Sequence, residues 1–161
     1  MTKRSLSVLI LIALAAGAWS CSSTPSSEPE SNPMGIPAET QAFDRTYQYR
    51  SEVGDGVIEG TLELHFEPAT ISTAPMRITG SWELASRGTV GEVGPQLGTG
   101  ALEGELRDGR SVWLNLNPGW ADNNVTLVGT IAPQVGDLTG TWQYSSFVGP
   151  VSAGSFAAQP L

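Results

Sequence analysis

Six alternating stretches of the chain carry a short phrase in which a glycine is followed, two places on, by a large apolar side chain. The copies are Gly60-Thr61-Leu62, Gly80-Ser81-Trp82, Gly104-Glu105-Leu106, Gly129-Thr130-Ile131, Gly140-Thr141-Trp142 and Gly154-Ser155-Phe156. Successive side chains of a strand point to opposite faces, so glycine and apolar group share one face and the polar residue between them takes the other. The phrase therefore predicts a sheet of similar strands, each with its glycine and its bulk on the buried side. It describes construction and carries no reactive group.

Two-fold alternation runs from Phe43 to the end, and no segment shows helical periodicity of useful length. Strands are predicted over 43–51, 57–66, 76–84, 101–107, 111–117, 124–131, 138–144 and 151–158. Short strands in strict succession, each with one apolar face, imply an all-β domain: a single antiparallel eight-stranded up-and-down (meander) β-barrel, whose closure removes both sheet edges. A two-sheet sandwich is the other arrangement. The barrel is preferred because inward glycines, present on six of the eight strands, permit the tight coiling a small barrel needs.

Parity fixes the register further. Pairing Asn117 with Asn124 sets Leu114 opposite Leu127 inside and Trp113 opposite Val128 outside. The next pair of strands then puts Gly129 opposite Gly140 and Leu127 opposite Trp142. Inward Leu106 and Val112 can pair only if Asp108-Gly109-Arg110 forms a three-residue connection, so a bulged hairpin is expected there in place of a two-residue turn.

The first 20 residues read as an export signal: Lys3-Arg4 is cationic, 6–16 is an apolar run short for a bilayer, and small residues follow. Ala18-Trp19-Ser20-Cys21 resembles the lipobox of bacterial lipoproteins, with Ala18 where that family carries leucine and Trp19 where it carries a small residue. The resemblance implies a lipidated Cys21, the sole cysteine, anchoring the chain in the cell envelope. Ser22 in place of aspartate implies the outer membrane if the cell is Gram-negative. The other reading is plain secretion after Ala16-Gly17-Ala18, with Cys21 a free thiol. Residues 21–42, rich in serine, proline and glutamate, are a tether that cannot bury enough surface to order itself. The barrel domain is 43–161.

Charge excludes several partners and chemistries. Lys3 is the only lysine, so beyond Cys21 six arginines face sixteen acids. That balance repels nucleic acid and anionic lipid headgroups, and it leaves no lysine for Schiff-base or general-base work. Glu63, His65 and Glu67 alternate along the outer face of one strand. Such neighbours stand nearly ~7 Å apart, too far to grip one metal ion unaided, and a solvated face is the simpler reading. The acids Glu103 and Glu105 likewise face outward near Arg107. No G-x-S-x-G occurs, and the single histidine lies outside the barrel. No catalytic residue, cofactor or metal is assigned.

Connections after the first, third, fifth and seventh strands share one end of such a barrel, away from the tether. That mouth gathers Arg87, Trp120, Asp122, Asn123, Asn124 and Phe147, a set able to stack and hydrogen-bond a partner. Trp120 would otherwise serve as a plug, with the Asn and Asp side chains capping turns. Trp82, Trp142 and Tyr144 are the candidate interior residues. Eight strands enclose either a filled core or one small ligand, and here inward aromatics add volume while inward glycines subtract it. Gly80-Ser81-Trp82 and Gly140-Thr141-Trp142 resemble the G-x-W of calycin barrels, the lipocalin and avidin group, and the resemblance implies shape alone. Three functions are therefore carried forward: a non-catalytic envelope module taking a small apolar ligand at its mouth, an interaction lipoprotein whose rim contacts another envelope protein, and, behind both, an enzyme, which would need ionisable groups converging in one pocket.

Overall fold

The computed structural model describes residues 41–69 and 74–161; the expected export signal, Cys21 and the expected tether up to residue 40 lie outside them. Eight strands follow one another: β1 (Phe43–Val53), β2 (Gly56–Glu67), β3 (Met76–Arg87), β4 (Gly98–Arg107), β5 (Ser111–Asn115), β6 (Asn123–Ile131), β7 (Leu138–Ser146) and β8 (Gly149–Pro160). Each pairs antiparallel with the next, and β8 closes on β1 from Tyr47↔Pro160 to Arg50↔Ala157. The domain is a closed antiparallel meander barrel, the shape the calycin resemblance implied.

The register agrees with parity throughout: Leu114↔Leu127, Trp113↔Val128, Gly129↔Gly140 and Leu127↔Trp142 are all partners. Leu106 faces Val112 with three residues between Arg107 and Ser111. Within that connection Asp108 and Gly109 both take positive φ, 52° and 63°, and the Arg110 N–H donates to the Arg107 carbonyl at 3.0 Å. A tight left-handed turn is thus nested inside the longer connection, and Arg110 is the extra residue that restores parity. A second irregularity falls between Tyr144 and Ser145, where Tyr144 pairs Ser152 but Ser145 pairs Pro150, leaving Val151 over.

All six repeats place their apolar residue in the core, and Gly100-Ala101-Leu102 and Gly136-Asp137-Leu138 do the same. The inward glycines work in two ways. At Gly80 an added Cβ would lie 1.9 Å from the Glu63 carbonyl oxygen, so the missing side chain is what lets β2 close in. At Gly100 and Gly154 the space is taken by indoles: an added Cβ would meet the Trp82 ring at 2.8 Å and Trp142 Nε1 at 2.7 Å. Small residues thus sit beneath large ones on the neighbouring strand, which is how a tightly coiled sheet fills its own interior.

That interior is full. Tyr47, Tyr49, Phe66, Leu62, Leu114 and Leu127 expose no surface, and Trp82, the most open member of the buried cluster, exposes 6%. A void large enough for water would leave exposed atoms around it. Each fully buried large side chain contributes roughly 1.5–3 kcal/mol through removal from water. Both interior indoles are satisfied as donors: Trp82 Nε1 donates to the Leu116 carbonyl at 2.8 Å, and Trp142 Nε1 to Ser51 Oγ at 2.9 Å, while Ser51 donates to the Ser155 carbonyl at 2.8 Å.

The Tyr47 and Tyr49 hydroxyls are buried without a hydrogen-bond partner among the described residues. Burial pushes both phenols above their ordinary range; the nearby Arg45 offsets part of this for Tyr47, and Ser51 part of it for Tyr49. A phenol whose folded pKa is raised keeps its proton after the unfolded chain has released it. Its contribution to stability is therefore complete below about pH 10 and is lost as pH rises through the folded values. In an alkaline titration, the phenolate absorbance of Tyr47 and Tyr49 is expected to appear only together with loss of the strand circular dichroism signal. Full ionisation of all tyrosines with the dichroism unchanged would contradict their burial.

Candidate functional site

The entry into β1 and the C-terminus share one end, since the Leu161 N–H donates to the Thr46 carbonyl. The opposite end, the mouth, is made by the turn at 54–55, the segment 88–97, the loop 116–122 and the turn at 147–148. Segment 88–97 closes it. Val93 and Gln96 are buried there, Gln96 Nε2 donates to the Val93 carbonyl at 2.9 Å, Gly94 lies against the Tyr144 ring, and Ser152 Oγ donates to the Glu92 carbonyl at 2.6 Å. This segment, and not Trp120, is the plug.

Trp120 instead stands outside, 63% exposed. Its loop is organised by asparagines, as short polar side chains do in turns. Asn117 Nδ2 donates to the Asn123 carbonyl at 2.7 Å, Asn124 Nδ2 to the Trp120 carbonyl at 2.6 Å, and the Trp120 N–H to the Asn117 carbonyl at 3.2 Å. The Asn117 and Asn124 side chains are therefore spent on holding the loop, Asn123 contributes its main-chain carbonyl, and Asp122 is exposed. Strands β7 and β8 run further than the alternation suggested, and their connection shrinks to Phe147-Val148, exposed by 82% and 76%. Asn123 pairs with Ser146, which sets Phe147 beside the Trp120 loop. Arg87 reaches the rim but is engaged by Glu59. Of the interior candidates, Trp142 is buried, Tyr144 half-buried beneath Gly94, and Trp82 lies at the inner edge of the rim.

Trp82 and Trp120 come together in one place. β4 pairs with β3 from Gly98 to Leu106, but β5 pairs with β4 only from Glu103 to Arg107. At the mouth the wall is therefore open between β4 and the chain leaving β5. Extending the β4–β5 register would bring Pro118 opposite Gly100, and proline has no N–H to give. The chain turns away, leaving a groove of about 330 Å³ between Leu97–Ala101 and Leu116–Trp120, with Trp82 and Pro95 completing it. Leu97, Leu116 and the free stretch of β4 were not among the candidates from the sequence. The fifth strand stops at Asn115, two residues short of the expected end, where the Asn117 N–H donates to Asn115 Oδ1 at 2.9 Å; Pro118 was the available signal that pairing ends nearby.

On the outer wall, Trp113 and Val128 are exposed in an open depression of about 600 Å³ beside Glu105 and Arg107, and several charged groups are paired. His65 Nδ1 meets Asp44 Oδ1 at 2.5 Å, His65 Nε2 lies 3.7 Å from Glu67, and Ser81 donates to Glu63 at 2.9 Å. Glu105 is bridged to Arg107. Among the described residues no three His, Cys, Asp or Glu are grouped to hold a metal ion. Comparisons with protein-family models, curated proteins and solved structures find no match for the chain.

Proposed function

We propose that the protein is a non-catalytic interaction lipoprotein of the bacterial envelope. It is held by lipid on Cys21 and presents the mouth of a filled barrel to another envelope protein. The observation that carries this reading is the contrast between the two sides of the barrel end: the interior is occupied by its own side chains, while Trp120, Phe147, Val148 and Leu97 remain in solvent around the rim. Trp113 and Val128 on the outer wall and Val135 and Leu161 towards the other end are exposed as well, but four large apolar groups gathered around one mouth favour a partner surface there. A small apolar ligand would have to lodge in the rim groove, since the core offers no room. The lipobox-like Ala18-Trp19-Ser20-Cys21 supports the anchor, and the acidic surface argues against nucleic acid.

One experiment tests both halves. A photocrosslinking residue at position 147, in cells that export the chain, is expected to yield a single dominant adduct. Cys21→Ala is expected to release the chain from membranes and abolish that adduct. Membrane retention of Cys21→Ala would remove the anchor from the reading, and the absence of any adduct from positions 120 and 147 would remove the partner.

A further inference from the structure

We propose that the rim groove is a strand-capture site: it takes an extended, basic and apolar polypeptide segment that pairs with the free edge of β4. The inference rests on the partner-binding reading and specifies the chemistry of the partner. Its first support is the backbone. From Gly98 to Leu102, β4 is hydrogen-bonded on the β3 side only, and an unpaired strand edge is a template for an added strand. A barrel exists to remove such edges. Where β1 and β8 pair only over Tyr47–Arg50, Ser51 Oγ reaches across to the Ser155 carbonyl, whereas the open edge of β4 faces the groove.

The second support is what lies beside that edge. Leu97 and Trp120 stand exposed at the groove over the nearly buried Trp82 and Leu116, and the Asn117 amide in its wall is already bonded to Asn123. Such a seat suits an aliphatic or aromatic side chain. An incoming strand presents alternate side chains inward and outward, so one apolar residue can enter the groove while its neighbours point to the outer wall.

The third support is charge. At the mouth end the cations are Arg50 and Arg87, and both are held by carboxylates, Arg50 by Glu52 and Glu59 and Arg87 by Glu59. Glu83, Glu92 and Asp122 have no ion pair among the described residues. Glu83 stands opposite Thr99 and lines a shallow depression that shares Thr99, Gly100 and Ala101 with the groove. The field over the groove is thus acidic, and it favours arginine or lysine flanking the apolar anchor while repelling an acidic segment.

The test uses the full chain in detergent and a short synthetic peptide alternating arginine and leucine. Three comparison peptides accompany it: glutamate in place of arginine, N-methylation at alternate residues, and scrambled order with the same composition. Saturable binding of the arginine–leucine peptide is expected from tryptophan fluorescence. Trp120→Ala, a substitution at an exposed site that thermal melting will show to be folded, should weaken it about tenfold or more. N-methylation should weaken it by a similar factor, about tenfold, because it removes the main-chain donors that pair with β4. The glutamate peptide should not saturate. Equal affinity for the N-methylated, scrambled or glutamate peptide would overturn the proposal, as would undiminished binding to Trp120→Ala. Binding of soluble peptidoglycan fragments with none of any peptide would overturn it too. Should the photocrosslink at position 147 capture a partner in cells while no peptide binds, strand capture fails and the rim reading survives.

Discussion

Gly80→Ala is expected to destabilise the barrel by at least about 3 kcal/mol, a fall in melting temperature of roughly 10–15 °C. The added Cβ would sit 1.9 Å from the Glu63 carbonyl oxygen and 3.3 Å from the Leu64 Cα, both main-chain atoms of β2. A flexible side chain could swing aside; a paired backbone cannot. Relief requires β2 and β3 to part where Leu64 faces Gly80, in the middle of an eleven-residue ladder running from Val57↔Arg87 to Glu67↔Arg77. The strain spreads to β4, because Gly80 also faces Leu102. Gly119→Ala is the control: nothing lies within 4 Å of a Cβ there, so its change should stay within about 0.5 kcal/mol. Thermal and denaturant melts of the two variants decide the matter. A Gly80→Ala chain as stable as the parent would mean that inward glycines do not set the coil of this sheet.

The same chemistry explains what could be read before the structure was known. Glycine and a bulky residue at a spacing of two specify a face, and faces specify register, so pairings such as Gly129↔Gly140 and Leu127↔Trp142 followed from parity alone. Closure followed from the inward glycines, which permit the tight coiling a small barrel needs. The plug did not follow. Val93 and Gln96 lie in a stretch with glycines at 88, 91, 94 and 98, where no period marks which side chain is buried; their burial depends on the mouth they cover. Trp120 was legible as a rim residue but not as an exposed one, since a lone tryptophan in a loop packs or protrudes according to what else fills the end. The groove was half legible. Pro118 declares that pairing stops, but the acceptor side of that gap is the ordinary-looking start of β4, whose Gly-Thr-Gly-Ala reads as loop until β3 is placed beside it.

Trp142→Leu is expected to cost about 3 kcal/mol or more, and Gly154→Ala added to it is expected to return part of that loss. Trp142 is 1% exposed and spans the space over Gly154, which it faces across the β7–β8 ladder. Leucine leaves a gap where the outer ring of the indole lay. It also removes the Nε1 donor from Ser51, whose hydroxyl keeps its own bond to the Ser155 carbonyl. In the parent protein Gly154→Ala is destabilising, because its Cβ would meet Trp142 Nε1 at 2.7 Å. In the leucine background the obstructing atom is gone and the methyl occupies vacated space, so the sign of the alanine effect should reverse. Ser51→Ala separates the polar share: it strands the indole N–H in a dry core, at about 1–3 kcal/mol, and should cost less once Trp142 is leucine. A double-mutant cycle on each pair reads these couplings from melting curves. If Gly154→Ala destabilises both backgrounds equally, Trp142 and Gly154 are neighbours without complementarity, and the filling of the barrel by large-over-glycine pairs would have to be assigned elsewhere.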